Sequence, residues 1–448
     1  MIKSKRQQKL EQKQLQSRLT KSSSFATKTP FRDAERNFKS RLPPPDFSRV
    51  IDFYNLENCI DEIKNKVIEI ELAVDLGEEC ENLFGKCKDG GYIERKKAYL
   101  FKDLPGFIFI RNPFTPDAQK HVIKRCLKDF AKHPNISNLD THYILPKQGI
   151  WELYEKVYNN ILDENDKECF IPLKATSTNE NSDMRYTNDD EESPKSTKLT
   201  TVNKEKPDPP PSPTVSILPL SQLIHKLRWI TLGYQYHWST KTYHFDRRFQ
   251  FPQDINDLTT AVVKAIDGLG FPDGSFIHKY DVAKWKPEAG VVNYYQLKDN
   301  LMAHVDRSEI NMDAPLISFS FGHSCIFLIG GPTRDTVPLA LYLRSGDISI
   351  MCGPSRGCFH GVPRILEGTL PTYLAPNNVE DPEWDIYGDF MSTTRINVNV
   401  RQVIYNNSED YDNGINKFAC IQLHCPTKEF VIIIVLATET AFLANSNP

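Results

Sequence analysis

Arg395-Ile396-Asn397-Val398-Asn399-Val400-Arg401 alternates polar and β-branched residues without a break. Side chains two apart on a strand share a face, so Arg395, Asn397, Asn399 and Arg401 line one side and the apolar residues the other. Similar short runs stand upstream at Gly290 to Tyr295, Leu316 to Phe321, Cys325 to Ile329, Leu339 to Leu343 and Asp347 to Met351, each bounded by Gly, Pro, Asp or Asn. Six or more short strands with such punctuation indicate an antiparallel sandwich or barrel, and a jelly roll fits the spacing. That fold leaves a mouth in which polar residues can converge. The twenty uncharged residues from Ala314 to Thr333 alternate, turn at Gly322-His323-Ser324 and resume, which reads as two buried strands rather than a membrane span.

The sharpest local feature is His304-Val305-Asp306. On a strand the imidazole and carboxylate point into the same space. With one distant histidine they make the facial triad of non-haem Fe(II), which leaves positions open for a cosubstrate and O₂. Three histidines follow: His323 in a turn, His360 just beyond the run Asp347 to Met351, and His424 in an irregular tail. His360 is the choice.

2-Oxoglutarate would chelate such an iron through its keto-acid end and leave a carboxylate at the far end. Arginine meets a carboxylate with a planar fork of donors. Arg395 and Arg401 are six apart, an even spacing, and face the same side with Asn397 and Asn399. Burying that face is costly unless it binds an anion or is fully paired. Asn293 and Tyr295, also two apart, offer further donors upstream of His304.

The rest of the chain is organised around this segment. The 448 residues are 40% hydrophobic, 25% charged and 11% aromatic, which excludes global disorder, collagen and a disulfide miniprotein. The net charge of −3 conceals thirteen Lys/Arg against four Asp/Glu in residues 1–50. A basic arm on an acidic body suits an anionic partner such as nucleic acid or a membrane surface. The ten cysteines are scattered without a CxxC pair, as expected of reduced thiols. No secretory signal or transmembrane segment is expected.

Six regions follow. Residues 1–45 are read as a basic disordered arm. Residues 46–174 form a mainly helical region with one short strand, Phe107 to Ile110, after a helix over 51–82 suggested by Ile60, Ile63, Val67, Ile68 and Ile70. Residues 175–214, poor in apolar side chains, are a disordered insertion. Residues 215–270 hold lead-in helices and an aromatic-rich lid, 271–405 the jelly-roll core, and 406–448 an irregular tail. The fold class is α+β, with a double-stranded β-helix at its centre.

The series Asn293-Tyr294-Tyr295, His304-Val305-Asp306, His360 and Arg395-Ile396-Asn397-Val398-Asn399-Val400-Arg401 resembles, in order and spacing, that of the AlkB Fe(II)/2-oxoglutarate-dependent dioxygenases. His304-Val305-Asp306-Arg307-Ser308-Glu309 and Ser345-Gly346-Asp347-Ile348 are similar to the animal "homologue one" branch. The resemblance covers about residues 30–405. It implies that His304, Asp306 and His360 hold Fe(II). It implies that Arg395 with Asn293, Tyr295 and Asn397 holds 2-oxoglutarate, and that Arg401 lies near cosubstrate or substrate. Tyr236 and Tyr243 fall where the family's lid supplies aromatics that stack on an extruded base. Ser308 stands where several members carry a second aspartate used in base recognition. The implied activity is oxidative demethylation of N-methylated bases in tRNA or DNA, releasing formaldehyde, succinate and CO₂. The implied enzyme is a monomer of the nucleus or mitochondrion, or of the cytoplasm. A catalytically weak nucleic-acid binding protein, a DNA lyase and a protein (histone) demethylase or hydroxylase on the same fold are the alternatives.

Overall fold

The computed structural model describes residues 29–87, 91–175, 210–238, 240–377 and 381–406. Most of the expected arm (1–28), nearly all of the insertion (176–209) and the tail with its apolar stretch (407–448) lie outside the described residues. One compact unit ends at Val403.

Fourteen strands are found among the described residues. In chain order they are β1 (Val67–Glu71), β2 (Lys97–Phe101), β3 (Phe107–Ile110), β4 (Ile136–Ser137), β5 (Trp229–His237), β6 (Thr242–Arg248), β7 (Ala289–Gln296), β8 (Leu301–His304), β9 (Leu316–Gly322), β10 (Cys325–Ile329), β11 (Leu339–Leu343), β12 (Ile348–Met351), β13 (His360–Ile365) and β14 (Thr394–Arg401). They form two antiparallel sheets. The large one runs β1-β2-β3-β12-β9-β14-β7-β5-β4, with β6 paired to β5, and the small one runs β11-β10-β13-β8. The alternating segment of the sequence is thus β14, with β9 on one side and β7 on the other. Its apolar residues Ile396, Val398 and Val400 are fully buried in a core shared with helices Pro116–Lys124, Ile150–Tyr158 and Gln253–Ala265. Its polar face looks the other way, toward the small sheet. One end of the space between the sheets is closed by Phe107, Phe327, Leu341, Leu343, Met351 and Ile365. The opposite end stays polar.

Gly322 makes the turn from β9 to β10. Its φ is +88°, a conformation that favours glycine over any residue with a Cβ. The turn also points His323 away from the polar end. Its Nε2 lies 2.8 Å from the carbonyl of Ser392, at the end of the helix Asp385–Ser392.

The structure departs from the sequence reading in three places. The helix expected over 51–82 is absent as such: short helical turns at Asp61–Lys64, Leu76–Glu79 and Glu81–Phe84 flank β1. Val67, Ile68 and Ile70 are β-branched and fit a strand at period two as well as a helix at 3.6. Pairing with β2, with Glu69 bridged to Lys97 at 2.8 Å, decides for the strand. The region 46–174 therefore contributes four strands instead of one, and β1, β2 and β3 extend the large sheet. The aromatic run after Trp229 belongs to β5, a strand of the large sheet that forms a hairpin with β6. Finally, residues Pro30–Lys39, placed in the disordered arm, form a helix. Thr29 caps it through Oγ1 to the Arg32 N–H, and Pro30 fits its first turn. Phe31 and Phe38 bury against Ile326, Leu328 and Ala303 on the outer face of the small sheet.

That docking carries a stability consequence. Phe31 is fully buried, meets the Phe359 ring edge-on at 6.5 Å and packs on Gly330. Phe31→Ala should cost about 3–5 kcal/mol in urea unfolding. Leu42→Ala, at a side chain left exposed just beyond the helix, should change stability by under about 0.5 kcal/mol. Equal small effects would mean that the helix is not docked.

Candidate active site

The polar end of the sandwich is built from three strands and one loop. β8 ends in His304 and the chain turns directly into Asp306, while β13 begins with His360 and places it opposite His304 in register. The two imidazoles lie with ring centroids 4.5 Å apart. His304 Nε2 is 3.7 Å from Asp306 Oδ1, and His360 Nε2 is 3.7 Å from Oδ2. The three donor atoms all fall within 4.8 Å of one another, and no other such group of three His, Cys, Asp or Glu residues occurs among the described residues. His304 Nδ1 lies 2.9 Å from the Met302 carbonyl and His360 Nδ1 3.2 Å from the Cys358 carbonyl. Those contacts place the proton on Nδ1 and turn both Nε2 lone pairs toward Asp306. Two imidazoles and one carboxylate meeting from one side are a donor set that could hold a divalent transition metal.

The electrostatics agree with that use. Burial pulls the His304 pKa below the ordinary imidazole value, and the neighbouring His360 lowers it further. Burial alone would raise the Asp306 carboxyl, but the Arg401 guanidinium and the two imidazoles hold it well below the usual carboxylate range. Arg401 Nη2 contacts Asp306 Oδ2 at 2.9 Å. Arg401, expected near cosubstrate or substrate, is thus engaged with the triad carboxylate. Its Nη1 donates to the Tyr243 hydroxyl at 3.1 Å, and that hydroxyl donates to Glu309 Oε1 at 2.9 Å. Tyr243 is buried, with its hydroxyl held between Arg401 and Glu309. Tyr236 is half-buried, meets Tyr243 edge-on, and its hydroxyl lies 3.1 Å from Ser308 Oγ.

Glu309 and Arg356 are site residues that the sequence reading did not single out. Both are buried, and Arg356 Nη2 reaches Glu309 Oε2 at 3.2 Å. Arg356 also donates to the carbonyls of Asp306 and Ala314. It ties the loop after β8 to the turn before β13, and with them the two halves of the triad. No local signal marks either residue, because each has its partner 47 positions away in sequence.

Arg395 sits deeper, 1% exposed, at the apolar end of the same face. Its Nη2 donates to Ser320 Oγ at 2.7 Å, and the guanidinium carbon lies 5.6 Å from the centre of the Tyr295 ring. Its Nε and Nη1 are buried and meet no acceptor among the described residues. A buried guanidinium with two unspent N–H groups fits the carboxylate of a small dianion. Asn397 Nδ2 donates to Ser318 Oγ and the Phe319 carbonyl, and Asn293 stands opposite Asn397 on β7.

Comparison with known proteins agrees with this geometry. The 2OG-Fe(II) oxygenase superfamily matches residues 173–401. The mouse "Nucleic acid dioxygenase ALKBH1" is 34% identical over 329 residues, covering 70% of this chain and 68% of its own. The fission yeast "tRNA demethylase abh1" is 33% identical over 69% of this chain and 82% of its own. The Arabidopsis thaliana "DNA N(6)-methyladenine demethylase ALKBH1A" is 29% identical over 84% of this chain and 97% of its own.

The His304 shift can be observed directly. In the metal-free protein its imidazole should titrate below pH 6.5, followed by its NMR chemical shift. Because the folded value lies below the unfolded one, the neutral ring contributes stability that is complete above about pH 6.5 and lost as pH falls toward the folded value. In His360→Ala the midpoint should move up. A midpoint at or above 6.5 in the parent protein would contradict a buried, neutral ligand. With the paired imidazoles, the shared carboxylate and the unspent arginine in one cleft of a two-sheet sandwich, the chain belongs to the 2OG-Fe(II) oxygenase superfamily, within the ALKBH1 branch of its AlkB members.

Proposed function

We propose that this chain is an Fe(II)/2-oxoglutarate-dependent dioxygenase that removes N-methyl groups from bases of nucleic acid, in tRNA, DNA or both. The observation that carries it is Arg395: a buried cation with two unpaired donors, on the same strand face that delivers Arg401 to the His-Asp-His group. Arg401 also leaves its Nε without an acceptor, but its Nη atoms meet Asp306 and Glu309, whereas Arg395 meets no carboxylate among the described residues.

In this reading His304, Asp306 and His360 hold Fe(II). Arg395, fixed by Ser320, receives the far carboxylate of 2-oxoglutarate, with Tyr295, Asn293 and Asn397 along its length. Bound together, iron, 2-oxoglutarate and O₂ supply the oxidation that yields succinate and CO₂ and converts a methyl C–H to C–OH. The resulting hemiaminal then releases formaldehyde. The protein's own part is charge and position. Asp306 and Glu309 balance Arg401 and Arg356, so Arg395 leaves the site with a net positive charge that attracts a dianion. Arg401 keeps Asp306 ionised and oriented for the metal. The Tyr236 hydroxyl and Ser308 lie at the mouth, beside the exposed Trp238, where an extruded base can stack. The names of the relatives support nucleic acid as the substrate class, and the basic arm is of the right sign for it.

Incubating the full chain with Fe(II), 2-oxoglutarate and methylated tRNA or DNA should produce succinate and formaldehyde in equal amounts, with loss of one methylated base seen by mass spectrometry. His304→Ala or Asp306→Ala should abolish turnover. Arg395→Ala should raise the 2-oxoglutarate KM by roughly 100-fold or more, the cost of leaving a carboxylate unpaired being about 3–5 kcal/mol. Nucleic-acid affinity should change little. Equal loss of both would place Arg395 in the nucleic-acid surface, and binding without turnover would make the protein a reader.

A further inference from the structure

β8 is the outer edge of the small sheet. It is four residues long, hydrogen-bonded on one side only, to β13, and its register shifts between His360 and Val362. Such a strand is prone to fray. Yet it carries His304 and leads into Asp306, and the His304 ring is oriented through the backbone at Met302. The open edge is closed by side chains from elsewhere in the chain. Glu35 Oε1 accepts from the Ala303 N–H at 2.6 Å, and Arg334 Nη2 donates to the Ala303 carbonyl at 2.9 Å. Lys39 Nζ reaches Asn300 Oδ1 at 3.2 Å.

Glu35 is an unusual residue for its place. It lies between Phe31 and Phe38 on the buried face of the helix Pro30–Lys39 and is 4% exposed. Helical spacing calls for an apolar side chain there. A buried carboxylate is costly unless its oxygens are used, and here one oxygen is held by Arg32 Nη1 at 2.9 Å and the other by the Ala303 amide. The amide belongs to the residue immediately before His304.

We propose that Glu35 is a positioning residue for the metal site: its carboxylate fixes the edge strand that presents His304, so that docking of the N-terminal helix and metal binding are energetically coupled. This rests on the metal role proposed for His304, Asp306 and His360 and adds a residue nearly 270 positions away in sequence. The coupling is reciprocal by linkage.

The test uses the full-length chain and Mn(II) alone, with affinity read by electron paramagnetic resonance. Glu35→Ala should weaken Mn(II) binding about tenfold, the scale of one hydrogen bond to a charged group. Glu35→Gln keeps an acceptor for the Ala303 N–H and should restore most of that loss, which a merely structural role would not require. In the unmutated protein, saturating Mn(II) should slow hydrogen exchange of the Ala303 amide about tenfold, a measurement that stands even if Glu35→Ala fails to fold. Parent-like Mn(II) affinity in Glu35→Ala, alongside loss in His304→Ala, would overturn the positioning role and leave the metal site intact. Unchanged Ala303 exchange would overturn it as well. Absence of Mn(II) binding to the parent protein would overturn the metal reading and this proposal together.

Discussion

The structure turns on the burial of two arginines and an asparagine from one strand face. β14 lies inside a sheet covered on both faces, so Arg395, Asn397 and Arg401 are buried and Asn399 half-buried, where an open sheet would leave them in water. Two guanidiniums in an interior must be paired or bind an anion. The chain meets the demand unequally. Arg401 is matched by Asp306, Glu309 and the Tyr243 hydroxyl. Arg395 has one serine and is otherwise left with donors to spare. That asymmetry separates a structural cation, which orients the metal-binding carboxylate, from a cation that awaits a ligand.

The rest of the fold makes this arrangement affordable. Phenylalanines and aliphatic residues fill one end of the sandwich and set a low-polarity floor beneath Arg395. Helices cover the far face of the large sheet, so that β14 is held by apolar packing and by backbone pairing with β7 and β9 rather than by its own polar contacts. The small sheet contributes two of the three candidate ligands but ends in a short edge strand. Its stiffness comes from outside the sheet, through Arg356 beneath the Asp306 loop and the N-terminal helix along the edge.

The candidate site was legible in sequence because its chemistry is written at period two. Asn293 and Tyr295, and the Arg395 to Arg401 series, each declare a shared face without any knowledge of the fold; His304 and Asp306 meet although Asp306 lies just beyond the end of β8. Short apolar or alternating runs set off by Gly, Pro, Asp or Asn found β7, β9, β10, β11, β12 and β14. Periodicity failed where two periods coincide, as at Val67, Ile68 and Ile70, whose spacing suits a helix until β2 supplies a partner. The helix Pro30–Lys39 was hidden by its charge: Arg32, Asp33, Glu35, Arg36 and Lys39 resemble a solvated arm, and only Phe31 and Phe38 mark the buried stripe. Glu309 and Arg356 were illegible for another reason. Nothing local distinguishes a buried charged residue from an exposed one when its partner lies 47 positions away.

The central claim is that one face of β14 and the ends of β8 and β13 together form a metal and 2-oxoglutarate site. A crystal structure of the protein soaked with Mn(II) and 2-oxoglutarate in the absence of O₂ tests it most directly. The account predicts the ion on His304 Nε2, Asp306 and His360 Nε2, and the distal carboxylate on the Nε and Nη1 of Arg395. Manganese bound elsewhere, or a carboxylate that leaves Arg395 unpaired, would contradict it.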